Sequence, residues 1–269
     1  MTTIIRQTLF AAALLLFFVS CNNNEEPVTK QDNTMPAKEK ELRDAIAAKP
    51  DSLLLTENLI QYFRENGNYD MAIKETDNAI KKDTANARLW DIKGTLHFEN
   101  GDTTKGVLAM ERSVDYFPEP ANIIMLGSWY AQTKNAKALA IADALLIGKK
   151  ANAEKEALFI KGLYYSNTGD KDKAIAFFDD CLKLDYTFMF AYMEKAILMY
   201  NSGKYEEAIN ILDKAVTLQN NFDEGYYWLG KCYEKLKKTD AAIESYKTAL
   251  LYNADYTEAK DALGKLGVK

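Results

Sequence analysis

Few residues in this chain could carry chemistry. Its 269 residues include one histidine, His97, and three cysteines, Cys21, Cys181 and Cys232. No HExxH, GxSxG or phosphate-loop glycine run occurs. No CxxC or Cys/His spacing points to a metal. The carboxylates fall at turns and outer faces, where solvent is their simplest partner, and no pair has a reason to be held in a pocket. His97 lies 34 residues after Phe63 and at whole multiples of that interval from Tyr165 and Tyr233, so it fills a slot otherwise given to large rings. Packing is therefore the expected role of His97. The residues give catalysis no foothold and imply no cofactor.

That interval organises the chain. Residues 189–222 and 223–256 are two consecutive units of 34 residues that can be laid on one another. Positions 4, 8 and 11 are Tyr192, Ala196 and Met199 in one unit, and Tyr226, Gly230 and Tyr233 in the other. Positions 20, 24 and 27 are Ala208, Leu212 and Ala215, then Ala242, Tyr246 and Ala249. Both triplets follow the three-to-four spacing of one helix face. Between them, Ser202-Gly203-Lys204 supplies a turn in which Gly203 can take the left-handed conformation that ends a helix. Each unit reads as a helix–turn–helix hairpin, with small residues at the closest approach and large ones filling the gaps.

A large residue at position 4, small ones at 8, 20 and 27, and aromatics at 11 and 24 make the chain resemble the tetratricopeptide repeat (TPR) family. The resemblance implies an all-α, right-handed α-solenoid of six helix–turn–helix units, at 53–86, 87–120, 121–154, 155–188, 189–222 and 223–256. Residues 37–52 read as an N-terminal capping helix, and 257–269 as a C-terminal capping helix solvated by Lys260, Asp261 and Lys265. Two units depart from the pattern. The first has Ile60 where a small residue is expected and Thr76 where an aromatic is. The third gives Ile124, Ser128, Ala131, Ala140, Ala144 and Ile147 and lacks a turn glycine. Shifted by one, it places Gly127 and Tyr130 in the small and aromatic slots and moves Trp129 to position 10.

The N-terminus stands apart from this period. Leu9–Val19 is an apolar run of eleven residues, short of the roughly 20 that span a bilayer, and Arg6 supplies a positive flank. Residues 1–21 therefore read as a signal peptide. Phe18-Val19-Ser20-Cys21 resembles the lipobox of bacterial lipoproteins, with Phe18 in place of the usual Leu. That resemblance implies lipid attachment at Cys21 and a cell-envelope, outer-membrane location; the alternative is an ordinary cleaved signal with an incidental Cys. Residues 22–36 are polar and contain Pro27 and Pro36. They form a tether that reaches roughly 20–25 Å if flexible. Glu25-Glu26 is similar to the export tags of surface lipoproteins of Bacteroidetes.

A net charge of −5 and the lack of a dense basic cluster argue against a nucleic-acid partner. Cys181 and Cys232 are separated by two helices and are expected to be free thiols. Function must then come from a surface. In TPR proteins, positions 2, 5, 6, 9, 12 and 13 of the first helices line a concave groove. The cationic clamp that some members use for a carboxylate tail is missing here: Glu57, Asn58, Gln61, Asp91, Ile92 and Thr95 occupy those positions. Later units instead offer apolar and aromatic residues: Met125 and Trp129, Phe159 and Leu163, then Phe190, Met193 and Tyr200, and finally Tyr227 and Trp228. This stripe is either a protein-binding groove or packing between neighbouring repeats. The expectation is a non-enzymatic, lipid-anchored scaffold that holds a segment of an envelope protein. A glycan-binding surface and self-association are the alternatives.

Overall fold

In a computed structural model, residues 35–147 and 153–268 are described. Most of the expected tether, together with the expected signal peptide and Cys21, lies outside the described residues. The described residues form fourteen helices and no strand, and none of the helices is long and apolar enough to cross a membrane. The described residues divide, between Asn122 and Ile123, into two compact units.

The first unit contains α1 (Ala37–Ala48), α2 (Leu53–Glu65), α3 (Tyr69–Lys82), α4 (Ala87–Glu99) and α5 (Thr103–Tyr116). Side chains start α2, α3, α4 and α5 where the first turn leaves N–H groups without intrahelical acceptors. Asn68 accepts from Met71 N–H at 3.2 Å, Asn86 from Leu89 at 3.3 Å and Asp102 from Lys105 at 3.0 Å. Leu59, Ile60 and Phe63 of α2 pack against Leu42 of α1, Ala72 of α3 and Leu96 of α4. The two departures of the first repeat compensate each other. Ile60 is buried and so is Thr76, whose hydroxyl donates to Ala72 O at 2.8 Å. Arg64 of α2 forks onto Glu99 of α4, and Arg43 of α1 reaches Glu75 of α3 at 3.0 Å. His97 is buried on α4, and burial, with Lys93 adding to it, holds its pKa below the ordinary histidine value. It therefore packs as a neutral ring.

α6 (Pro120–Gln132) runs into the second unit, which contains α7 (Lys137–Ile147), α8 (Glu154–Thr168), α9 (Lys171–Leu184), α10 (Met189–Asn201), α11 (Tyr205–Leu218), α12 (Asp223–Lys235), α13 (Thr239–Tyr252) and α14 (Thr257–Lys265). α8 pairs with α9, α10 with α11 and α12 with α13, while α10 also touches α8 and α12. One backbone bond recurs at the hairpin turns, from the N–H beyond the turn to a carbonyl five residues back. Asp170 bonds Tyr165, Lys204 bonds Met199 and Lys238 bonds Tyr233, at 2.9–3.0 Å. The residue before the donor takes positive φ, which Gly169 and Gly203 adopt freely. At the other two such turns of this unit, lysines do so: Lys134 at 60° and Lys237 at 58°.

The third repeat is corrected by the same bond. Asn135 N–H reaches Tyr130 O at 2.8 Å, which makes Tyr130, not Ala131, the equivalent of Met199 and Tyr233. Gly127 then holds the small slot, where an added Cβ would stand 2.8 Å from Ile160 and 3.0 Å from Ile141. The following helix slips once more. Ala138 N–H bonds Asn135 O three residues back, whereas Ala208 N–H bonds Lys204 O four back. Ala138 and Ala142 are therefore fully buried, and Ala140, Ala144 and Ile147, expected inside, face solvent. Ile147 is 80% exposed.

Candidate functional site

The aromatic stripe expected along the first helices lies in the second unit, where the fold divides it into two rows. Trp129, Phe159, Leu163 and Met193 are buried among neighbouring helices. Trp129, 2% exposed, is turned inward because its helix sits one residue out of the expected register. Phe159 is enclosed by Phe178, Phe188 and Phe190, with ring centroids 5.9, 5.3 and 6.4 Å away. Met193 joins a cluster with Met189, Tyr192, Ala215 and Phe222. Edge-to-face and tilted rings of this kind add about 0.5–1.5 kcal/mol per pair beyond area burial. These four residues hold the helices together and present no free surface.

Met125, Phe190, Tyr200, Tyr227 and Trp228 are half-buried and form the outer row. Tyr200 of α10 meets the edge of Trp228 of α12 at 5.3 Å, and Tyr227 lies 6.1 Å from Trp228. Over these rings stands Lys231, a residue the aromatic pattern did not single out. Its Nζ is 4.3 Å from the Trp228 centroid, 5.4 Å from Tyr200 and 5.6 Å from Tyr227. Its spacing gave a usable signal: three residues after Trp228 and four after Tyr227 places it on their helix face. An ammonium over ring faces gains about 0.5–2 kcal/mol, while desolvation lowers the pKa of Lys231 below the usual lysine value. Burial, with Tyr205 adding, raises the Tyr200 phenol to about 12, so it stays a neutral donor.

Two carboxylates on the same helices also escaped the sequence reading. Glu194 of α10 is raised to about 7 by desolvation alone. Glu156 of α8 has its Oε2 buried without a hydrogen-bond partner. A separate cleft of about 450 Å³ between α9, α10 and α11 is lined by Asp179, Tyr192, Lys195, Asn210 and Lys214 among others. There the charges largely answer one another, with Lys195 bound to Asp179 at 2.5 Å and Lys214 5.6 Å from the centre of the Tyr192 ring. Cys181 and Cys232 are buried free thiols. Among the described residues no cluster of His, Cys, Asp and Glu has the arrangement of a metal site.

Comparison with known proteins agrees with this architecture. Family models described as the tetratricopeptide repeat match residues 155–188 and 199–266. A TPR repeat-containing protein of Methanocaldococcus jannaschii is 23% identical over 222 residues, 74% of this chain; the chain covers 39% of that relative's length. A tetratricopeptide repeat protein from Parabacteroides merdae aligns with a TM-score of 0.67 at 21% identity, over 85% of this chain and 90% of that one. A thermophilic TPR protein of Thermus thermophilus aligns with a TM-score of 0.55 at 14% identity, over 67% of this chain and 98% of that one.

Proposed function

We propose that this tetratricopeptide-repeat chain is a non-enzymatic scaffold, and that the face of α10 and α12 holds a segment of another protein. The observation that carries the reading is the cluster of Tyr200, Tyr227, Trp228 and Lys231, in which large rings stay half open at the surface around a desolvated cation. Aromatic anchors with a few polar groups are the usual source of interface energy, and adjacent helices offer an extended groove for a peptide. Phe190 and Met125 extend the apolar character away from this cluster. A sugar-stacking site would need an open ring face, and Lys231 lies over that of Trp228, so the glycan reading has less support.

The lipobox-like Phe18–Cys21 stretch supports attachment through lipid on Cys21, with the tether holding the scaffold close to an envelope membrane. The partner is then a protein of the same compartment. Cys21→Ser should move the protein from the membrane to the soluble fraction; unchanged fractionation would remove the anchor from this reading.

The face is tested by site-specific photocrosslinking in intact cells. A photoreactive residue at Tyr200 should yield a crosslinked partner, and one at Leu251, which is 76% exposed on α13, should not. Equal yields from both sites, or none from Tyr200, would sink the assignment.

A further inference from the structure

Tyr192 of α10 carries a hydroxyl that its packing does not need. It stands at position 4 of its unit, where the preceding unit has Leu158. The residue is 3% exposed, and its ring packs in the cluster of Met189, Met193, Ala215 and Phe222. The Oη is buried, and no protein group bonds it among the described residues. Another position-4 ring has its polar atom satisfied: Trp90 Nε1 donates to Thr84 O at 2.9 Å. Buried tyrosine hydroxyls ordinarily find a partner. Phenylalanine would fill the same space without desolvating an O–H group, so packing alone does not account for a tyrosine here.

The same side chain lines the cleft of about 450 Å³ between α9, α10 and α11. That volume is within the range of small-molecule sites, roughly 300–1,000 Å³. Leu182 and Ile211 supply apolar wall. Of the charged groups, Asp179 is answered by Lys195 at 2.5 Å, and Lys183 by Asp180 at 2.8 Å. Lys214 has no carboxylate partner among the described residues, and its Nζ stands 5.6 Å from the centre of the Tyr192 ring. The cleft thus brings one unanswered cation and one unanswered O–H donor to the same ring, and its one carboxylate is already paired. These groups are complementary to a single negative charge on acceptor oxygens, carried on a hydrocarbon body.

We propose that this cleft is a binding site for a small organic carboxylate. One carboxylate oxygen accepts from Tyr192 Oη, and the hydrocarbon lies against Leu182 and Ile211. The side chain of Lys214, exposed on α11, lifts from the ring to pair with the charge. A monoanion suits the site better than a phosphate dianion, because a single cation is free to balance it. None of Tyr200, Tyr227, Trp228 and Lys231 lines the cleft, so the site is independent of the aromatic face.

The test is ligand-observed NMR titration of the purified full-length protein with hexanoate, benzoate and phenylacetate, beside hexylamine and inorganic phosphate. At least one carboxylate should bind saturably, and hexylamine should not. Tyr192→Phe, which keeps the ring and removes the donor, should weaken that carboxylate at least about tenfold. Lys214→Met should weaken it as well, while Tyr200→Ala should leave it unchanged. Circular dichroism and thermal melting control for folding, and ligand-free Tyr192→Phe should melt no lower than wild type. No saturable binding by any of the three carboxylates, or equal binding by Tyr192→Phe, would overturn the proposal. So would binding of phosphate alone. A lower melting point of Tyr192→Phe with no carboxylate bound by wild type would overturn it too, and would assign the hydroxyl to an ordered water.

Discussion

A Cβ added to Gly230 would stand 2.5 Å from the ring of Tyr246, and one added to Gly162 would stand equally close to Phe178. Each glycine is at position 8 of its unit and each ring at position 24, so the ring fills the space that the missing side chain leaves. Three of the other units divide the same space differently: Ala196 with Leu212, Gly94 with Met110, and Ile60 with Thr76. Volume is held across the pair rather than at either position, as close packing of protein interiors requires.

Gly230→Ala should therefore destabilise the protein by about 1–3 kcal/mol through overpacking. Tyr246→Leu should also cost stability, because the Tyr246 hydroxyl donates to Glu234 at 2.6 Å. Combined, the two substitutions recreate the Ala196–Leu212 pairing and should cost clearly less than the sum of the singles. Urea unfolding of the four proteins of this cycle measures the coupling; strict additivity would mean that the two positions do not share volume.

Lys134 and Lys237 occupy left-handed backbone at φ of 60° and 58°, where equivalent turns use Gly169 and Gly203. A side chain in this conformation costs about 1 kcal/mol relative to glycine. Lys134→Gly and Lys237→Gly should each raise the thermal midpoint, while Gly203→Lys should lower it. A lower midpoint in the glycine variants would show that these lysines make interactions outweighing the strain.

The stability of the second unit should carry a signature of Glu194. Its carboxyl is raised from 4.5 to about 7 because burial disfavours the charged form. A raised acid pKa means that the folded state holds its proton after the unfolded chain has released it. Stability is thus lost as pH rises through this window, and the penalty is complete above it. Glu194→Gln should exceed wild type in stability near pH 8 by up to about 2 kcal/mol and match it near pH 4. Denaturant titrations at the two pH values check this, and an offset independent of pH would refute it.

Cys181 and Cys232 should be silent to thiol reagents in the folded protein. Both are buried, and burial pushes each thiol up to about 12, far from the reactive thiolate. Cys181 also donates to Lys155 O at 2.9 Å. In a Cys21→Ser variant, an aromatic disulfide reagent should titrate both thiols only on unfolding. Fast labelling of either thiol under native conditions would mean that its helix opens locally.

Much of the fold was legible in the chain because a repeat states its own period. Small and large residues alternating at helical spacing, with Gly67, Gly101, Gly169 and Gly203 at the turns, imply helix pairs, since only a helix brings those spacings to one face. The third unit was the exception: α6 slips by one residue and the turn after it is one residue shorter, which together move the buried pair from Ala140 and Ala144 to Ala138 and Ala142, and in a run rich in alanine either pair fits the pattern. The candidate site was legible only in part. Composition identified an aromatic and apolar set, but burial is decided by the helices that pack on each residue. Tertiary packing alone enclosed Trp129, Phe159, Leu163 and Met193 and left Tyr200, Tyr227 and Trp228 half open. It also placed Lys231 over rings from two helices and left Glu194 without a partner, because desolvation and charge pairing depend on neighbours that sequence distance does not specify.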